Sequence, residues 1–148
     1  MPRHDMDRYD CPEYAVREVA RILLGLIEQL RLMATGGSVD TTRVEVGYYL
    51  GHTGESMESD GWRVLMSEKL RVPGSLEPSY VLNLGDPELA SWIEANAVAV
   101  CQQSKAGRNN NNRSLNGVGL QFAVEGNTQV LFHKCRWNAQ SGFLDWSI

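Results

Sequence analysis

The residue types that most often carry metal or nucleophilic chemistry are scattered along this chain. Its three histidines, His4, His52 and His133, show no metal-ligand spacing, and no two of its cysteines form a C-x-x-C pair. His133 and Cys135 alternate onto one face of a predicted strand and would offer a soft metal two ligands, whereas a structural site needs four. We therefore expect a sheet face at this position, with no metal and no cofactor.

A second cluster of polar side chains lies between Gly51 and Gly61, where Glu55, Glu58 and Asp60 would attract a cation. The segment lacks the order of ligands that defines a calcium loop, so we expect a solvated acidic loop. Nucleophilic catalysis needs a base beside a serine or cysteine, and the chain has no G-x-S-x-G motif. The pattern favours a protein that is not an enzyme and has no catalytic residues.

The segment 104–114 (SKAGRNNNNRS) is the one local basic patch. Its arginines attract phosphate, and its asparagines hydrogen-bond phosphates and bases without adding charge. No aromatic residue is interleaved, so a base-stacking platform is absent. We expect an exposed polar loop that is either a solvated tip or, as the functional alternative, a surface that faces DNA or a partner subunit. The residues concerned are Lys105, Arg108, Asn109, Asn110, Asn111, Asn112 and Arg113.

Composition favours one domain over 1–148, with a polar N-terminal arm at 1–9. The net charge of −4 argues against a general affinity for nucleic acid. Three cysteines cannot all pair within the chain, which favours reduced thiols in a cytoplasmic setting. The first residues lack the apolar core of a secretory signal, and charges interrupt every apolar run, so we expect no membrane span.

These side chains are positioned by elements that the hydrophobic pattern predicts. The strongest is a helix from Pro12 to Thr35, begun by a capping-box spacing of Asp10 and Glu13 and ended by Gly36-Gly37. Its apolar residues form one broad stripe, which suits a helix laid across a sheet. The centre of the stripe is predicted at Val16, Ala20, Leu23, Ile27 and Leu30.

The remaining chain predicts strands, one helix and a hairpin. Strands are expected at Thr42–Leu50 and Trp62–Val72, with a short strand or connector near Tyr80–Leu84. A second helix starts at Asp86-Pro87 and ends near Gln103, and a hairpin follows with its turn at Gly126-Asn127. Phe143–Ile148 is a further short strand or a docked tail. The expected fold is α+β: a long N-terminal helix on a mostly antiparallel sheet, a second helix and a C-terminal β-hairpin.

One sheet covers one side of so broad a helical stripe, so its margin is expected to meet another subunit. The apolar C-terminal residues must likewise dock on their own domain or on a neighbour. The residues predicted for a subunit interface are Val19, Ile22, Leu26, Met33, Phe143, Trp146 and Ile148.

The segment Thr53-Gly54-Glu55, followed by Glu58-Ser59-Asp60-Gly61-Trp62, resembles the tail-terminator proteins of lambda-like phages. These proteins have a first helix, a strand, an acidic T-G-E loop and a tryptophan that opens the next strand. The second helix, with Leu89, Ala90, Trp92 and Ile93, resembles their following helix. The similarity covers residues 12–103. This chain differs in an extra segment at 73–85, in its asparagine-rich segment and in a longer C-terminal hairpin.

The resemblance implies a virion component, assembled in the host cytoplasm, that forms a hexameric ring on the end of the tail tube. Such a ring stops tube growth and offers a surface to the head, and the 105–113 segment would face the lumen through which DNA passes. Two rival interpretations remain. One is a small acidic inhibitor or immunity-type protein in the bacterial cytoplasm. The other is a small enzyme or ligand-binding domain with a pocket between the sheet and the first helix.

Overall fold

The computed structural model of the protein describes residues 11–34, 39–51, 61–65, 87–111, 114–138, 140 and 143–146. Its first element is helix α1 (Glu13–Ala34), which matches the predicted helix within one or two residues at each end. The Pro12 carbonyl accepts hydrogen bonds from the N–H groups of Ala15 and Val16, at 2.9 and 3.1 Å, and so begins the helix. The predicted cap, Asp10, lies outside the described residues.

The described residues include six strands, which follow the predicted order. They are β1 (Val39–Gly51), β2 (Trp62–Val64), β3 (Ser114–Val124), β4 (Asn127–Lys134), β5 (Arg136–Asn138) and β6 (Phe143–Asp145). The first four form one antiparallel sheet in the order β2-β1-β3-β4, and β5 pairs with β6 in a separate two-stranded sheet. The predicted strand Trp62–Val72 is therefore present as β2 over its first three residues. Its remainder and the Tyr80–Leu84 segment lie outside the described residues.

Alternation along the central strands gives the sheet two different faces. Val44, Val46 and Tyr48 of β1 point toward the helices together with Val118 and Leu120 of β3, and all five are buried. They join α1 and the second helix in one hydrophobic cluster. Burial of this cluster is the main stabilising term, since apolar surface removed from water contributes about 25 cal/mol per Å².

Helix α2 (Pro87–Asn111) begins at the predicted proline and buries Leu89, Ile93, Ala97 and Val100. It does not end near Gln103 as predicted but continues to Asn111, so residues 104–111 have helical backbone and the predicted loop is wrong over that range. A loop was expected there because residues 104–114 include no apolar side chain large enough to anchor the segment. Extending a helix that packing has already formed costs little per residue, and Lys105, Ala106 and Arg108 favour the extension.

The hairpin of β3 and β4 is confirmed, with its turn one residue earlier than predicted, at Glu125-Gly126. Both turn residues have positive φ, 51° at Glu125 and 85° at Gly126. This is the backbone of the two-residue turn whose twist matches that of the flanking strands. The α+β class, with two helices, a mostly antiparallel sheet and a C-terminal hairpin, is confirmed.

Candidate interaction surfaces

The sheet face that points away from the helices is built around three glycines. Gly47 of β1 lies opposite Gly119 of β3, and Gly117 lies two residues away on the same face. The indole of Trp62 lies over Gly47 and Gly119, and the Phe132 ring lies over Gly117. A side chain at these glycines would occupy the space of the rings, so the glycines are required by the close approach of the aromatic groups.

The two rings come from the opposite edge strands of the sheet and meet above its centre. Their centroids are 5.8 Å apart and their planes are inclined at 69°, an edge-to-face contact. The Trp62 Nε1–H donates to Oε1 of Gln121 at 3.2 Å, which fixes the indole on the sheet. We call Trp62, Phe132 and the three glycines beneath them the aromatic cover.

Strand β4 forms one edge of this sheet. It pairs with β3 along all eight of its residues and, among the strands that the structure describes, has no neighbour on its other side. Its outward N–H and C=O groups recur at every second residue, as in any antiparallel edge. Val130 at its centre is 36% exposed, and Leu131 and Phe132 are half-buried. An edge of this kind is a template for pairing with another strand.

Helix α1 also exposes apolar side chains, mainly toward its C-terminal end. Leu32 is 62% exposed and Met33 is 44% exposed, with Leu24 and Tyr14 also on the surface. Scattered exposed apolar residues are normal on a soluble protein, so this surface has weight only in combination with the β4 edge.

A groove of about 660 Å³ runs between the two helices. Its apolar wall includes Val16 and Ala20 of α1 and Ile93 and Val98 of α2, and its rim carries Glu13, Arg17 and Glu94. It therefore lies between α1 and α2, whereas the ligand-binding interpretation placed a pocket between α1 and the sheet. The small side chains of Ala20 and Ala90 keep it open.

The residues that line this groove include the buried Cys11. Its thiol is hydrogen-bonded to that of Cys101 on α2, which is also buried. That hydrogen bond, together with burial, raises the pKa of Cys101. Thiols whose pKa is raised are mostly protonated at neutral pH, which makes them poor nucleophiles.

His133 and Cys135, the pair weighed as soft-metal ligands, are engaged elsewhere. The Cys135 thiol is buried and donates to the carbonyl of Leu115 at 3.3 Å, and burial raises its pKa. The His133 ring lies edge-on to Trp146, with centroids 5.5 Å apart, and its Nδ1 lies 2.9 Å from the Lys134 carbonyl. Within the described part of the chain, no three His, Cys, Asp or Glu residues group as ligands for a metal ion.

The predicted interface residues divide into two groups. Val19, Ile22 and Leu26 are 0%, 7% and 3% exposed within the single chain, so they offer no surface to a second subunit, and that part of the prediction is corrected. These residues, at the margin of the apolar stripe of α1, are covered because α2 packs on α1 beside the sheet. Trp146 is buried too, whereas Met33 is 44% exposed. Phe143 lies in β6, and Ile148 lies outside the described residues.

Several candidate residues lie where the structure makes no statement. His4, His52 and the acidic residues Glu55, Glu58 and Asp60 lie outside the described residues, as do Asn112 and Arg113. Lys105 and Arg108 lie on the helical backbone of α2, as do the asparagines at 109–111.

Neither the aromatic cover nor the β4 edge was predicted from the sequence. The sequence did contain an indication of the aromatic cover. Gly47, Gly117 and Gly119 lie at strand positions that alternation places on one face of the sheet, and glycines inside a strand often mark close approach by another group. The edge had no signal in the sequence, because strand order depends on contacts between distant segments.

Comparison of the chain with protein-family models, with curated proteins and with solved structures finds no match. In the described residues, no helix is long and apolar enough to cross a membrane.

Proposed function

We propose that this chain is a non-enzymatic assembly protein that works as a homo-oligomer. The specific role proposed is a ring that closes the end of a phage tail tube and meets the head. In that role the chain is a virion component assembled in the host cytoplasm. The similarity of the Thr53–Trp62 segment to tail terminators supports the specific role, and the exposed surfaces support self-association.

The observation that carries self-association is the β4 edge. Its eight residues contain no proline, and its only charged side chain, Lys134, lies at the far end. Proteins that remain monomers usually blunt such edges with proline, central charges or bulges. The centre of β4 has none of these and presents Val130, Leu131 and Phe132 instead.

Two adjacent exposed apolar residues near the C-terminal end of α1, Leu32 and Met33, offer a second surface on a different element. One symmetric contact alone stops at a dimer. Two different symmetric contacts on one chain give a closed ring with an even number of copies when their two-fold axes meet at one point, and an open filament when they do not. A hexamer is such a ring. The proposed oligomer therefore uses both surfaces.

Electron microscopy tests the ring. Negative-stain images of the purified chain are expected to show closed rings of uniform diameter, and antibody-labelled chain is expected at one end of phage tail tubes. Particles without a central hole, or label spread along the tube, would contradict the tail-capping role.

The basic segment 105–113 is proposed to face the lumen of this ring, where DNA passes. Arg108→Ala combined with Arg113→Ala should leave folding and ring formation intact, because arginine side chains are rarely part of a hydrophobic core. The expected result is a loss of infectivity in particles of normal appearance. Unchanged infectivity would contradict the lumen assignment.

The groove between α1 and α2 favours one alternative function, a ligand-binding domain. Its volume of about 660 Å³ is in the range of pockets for small organic molecules. A screen by thermal shift distinguishes this ligand-binding function from the proposed assembly function. Compounds that raise the Tm of the wild type and have no effect on Ala20→Trp, in which the indole fills the groove, would favour this alternative.

A further inference from the structure

We infer that the occupant of the β4 edge is a second copy of β4, paired antiparallel about a two-fold axis at Leu131, so that two four-stranded sheets become one. The inference rests on the proposed self-association and specifies the surface and register that carry it.

The first argument is the pattern of side chains along β4. Residues directly opposite each other in an antiparallel pair point to the same face, so a two-fold axis must pass through a residue position. With the axis at Leu131, each Leu131 meets its own copy on the helix side. On the other face Val130 of each copy lies opposite Phe132 of the second copy. The three central apolar positions of one strand are thus in register with the three of the other.

Charge gives the second argument. Lys134 carries the only formal charge on the strand, and this register places it opposite Thr128 of the second copy, where no like charge opposes it. His133 lies opposite Gln129, another neutral polar residue. Moving the axis to Val130 would instead pair Leu131 with Gln129 and Phe132 with Thr128, which sets the apolar residues against polar ones.

The third argument is the position of the Phe132 ring. It leans over Gly117 and contacts Trp62, so it points toward the centre of its own sheet and away from the β4 edge. Val130, on the same face, is the large apolar residue left exposed there. The outward backbone groups of β4 are therefore not shielded by the ring beside them, and a second copy would cover Val130.

Disulfide trapping tests the register with substitutions at exposed positions. Thr128→Cys and Lys134→Cys are made as separate variants of the full chain, with different tags, and are coexpressed. Diamide then oxidises facing thiols to a disulfide and takes up their two electrons and two protons. The controls are each variant alone and the wild type, whose described cysteines are buried.

The coexpressed pair is expected to give a disulfide-linked heterodimer. Either variant alone should give at least about tenfold less, because two copies of residue 128 lie about 20 Å apart in this register, beyond the reach of a disulfide. A Val130→Cys homodimer in place of the heterodimer would overturn the register.

The failure of this inference and the failure of the proposed function are distinguishable in the same samples by their native mass. An oligomer that gives no disulfide in any combination overturns the β4 pairing and leaves self-association standing. A monomer overturns both. Slow hydrogen exchange at the outward amides of β4 in a monomer would show that another segment of the chain covers the edge.

Discussion

The indole of Trp62 and the ring of Phe132 come from the two opposite edges of the sheet and meet edge to face over its middle, with centroids 5.8 Å apart. The contact is possible because Gly47, Gly117 and Gly119 leave no side chains beneath the rings. The two edge strands are thereby tied to each other across the two central strands, and the outer face of the sheet acquires an apolar layer of its own.

We expect the Trp62–Phe132 contact to stabilise the fold beyond the area it buries. A double-mutant cycle with Trp62→Leu and Phe132→Leu should give a coupling free energy of about 0.5–1.5 kcal/mol, the value typical of edge-to-face aromatic pairs. Urea unfolding of the four proteins supplies the measurement. Strictly additive effects would show that each ring packs on its glycine independently of the other.

Gly119→Ala should destabilise the sheet. A Cβ at this position meets the backbone carbonyl of Leu131 on the neighbouring strand, which cannot move aside as a side chain can. We expect a loss of about 1–3 kcal/mol in the free energy of unfolding. Gly25→Ala is the matched control, because nothing lies within 4 Å of its Cβ position on α1, and alanine there should add about 0.5–1 kcal/mol.

Glu125→Asn should stabilise the hairpin. Glu125 has a φ of 51°, a left-handed conformation that glutamate tolerates poorly and asparagine adopts more readily. Asn-Gly is also the preferred sequence for this two-residue turn. The expected gain is about 0.5–1 kcal/mol, measured by thermal unfolding and converted at the midpoint. Gly126→Ala, at a φ of 85°, should lose stability under the same conditions.

Cys135 should make the stability depend on pH in the alkaline range. Burial raises the pKa of its thiol in the folded protein, whereas the unfolded thiol has a pKa of about 8.5. The stabilising contribution of the buried, protonated thiol is therefore complete below about pH 8.5. Above that pH the free energy of unfolding falls by about 1.4 kcal/mol per pH unit until the folded thiol ionises.

Cys135→Ser removes this titration and keeps a hydroxyl that can donate to the Leu115 carbonyl. The free energy of unfolding of the wild type, relative to the variant, should decrease steadily from pH 8 to pH 10. A constant difference over that range would show that the folded thiol ionises as easily as the unfolded one.

Val130→Lys tests the edge by the device that natural edge strands use against pairing. The side chain is at the surface of the single chain, so the folded monomer should lose little stability. Two lysines would then lie near the two-fold axis among apolar residues. We expect the dissociation constant of the pair to rise at least about tenfold, which corresponds to about 1.4 kcal/mol. Ser91→Lys, at an exposed position of α2 away from the β4 edge, is the control for charge alone.

The spacing of apolar residues was sufficient to predict α1, because over 22 positions that spacing fits the helical repeat and not the alternation of a strand. They also predicted β1 and the hairpin of β3 and β4. The end of α2 was misplaced because residues 104–114 include no large apolar side chain of their own, whereas the helix is held by the packing of Leu89, Ile93 and Val100.

The candidate surfaces were much less predictable. Val19, Ile22 and Leu26 were assigned to an interface because one sheet could not cover them, yet α2 does so in three dimensions. Which strand lies at an edge depends on pairing between β1 and β3, which are far apart in the sequence. Which strand can pair with an exposed edge depends on the register of the pairing, and that register is set by both strands together.

The mass of the native protein in solution is the sharpest test of self-association. Light scattering after gel filtration, over a range of concentrations, should give an even multiple of the chain mass of 16.5 kDa, with about 99 kDa expected for a hexamer. The Val130→Lys variant should shift toward smaller species. A wild type that stays at 16.5 kDa up to high concentration would contradict self-association, and with it the ring.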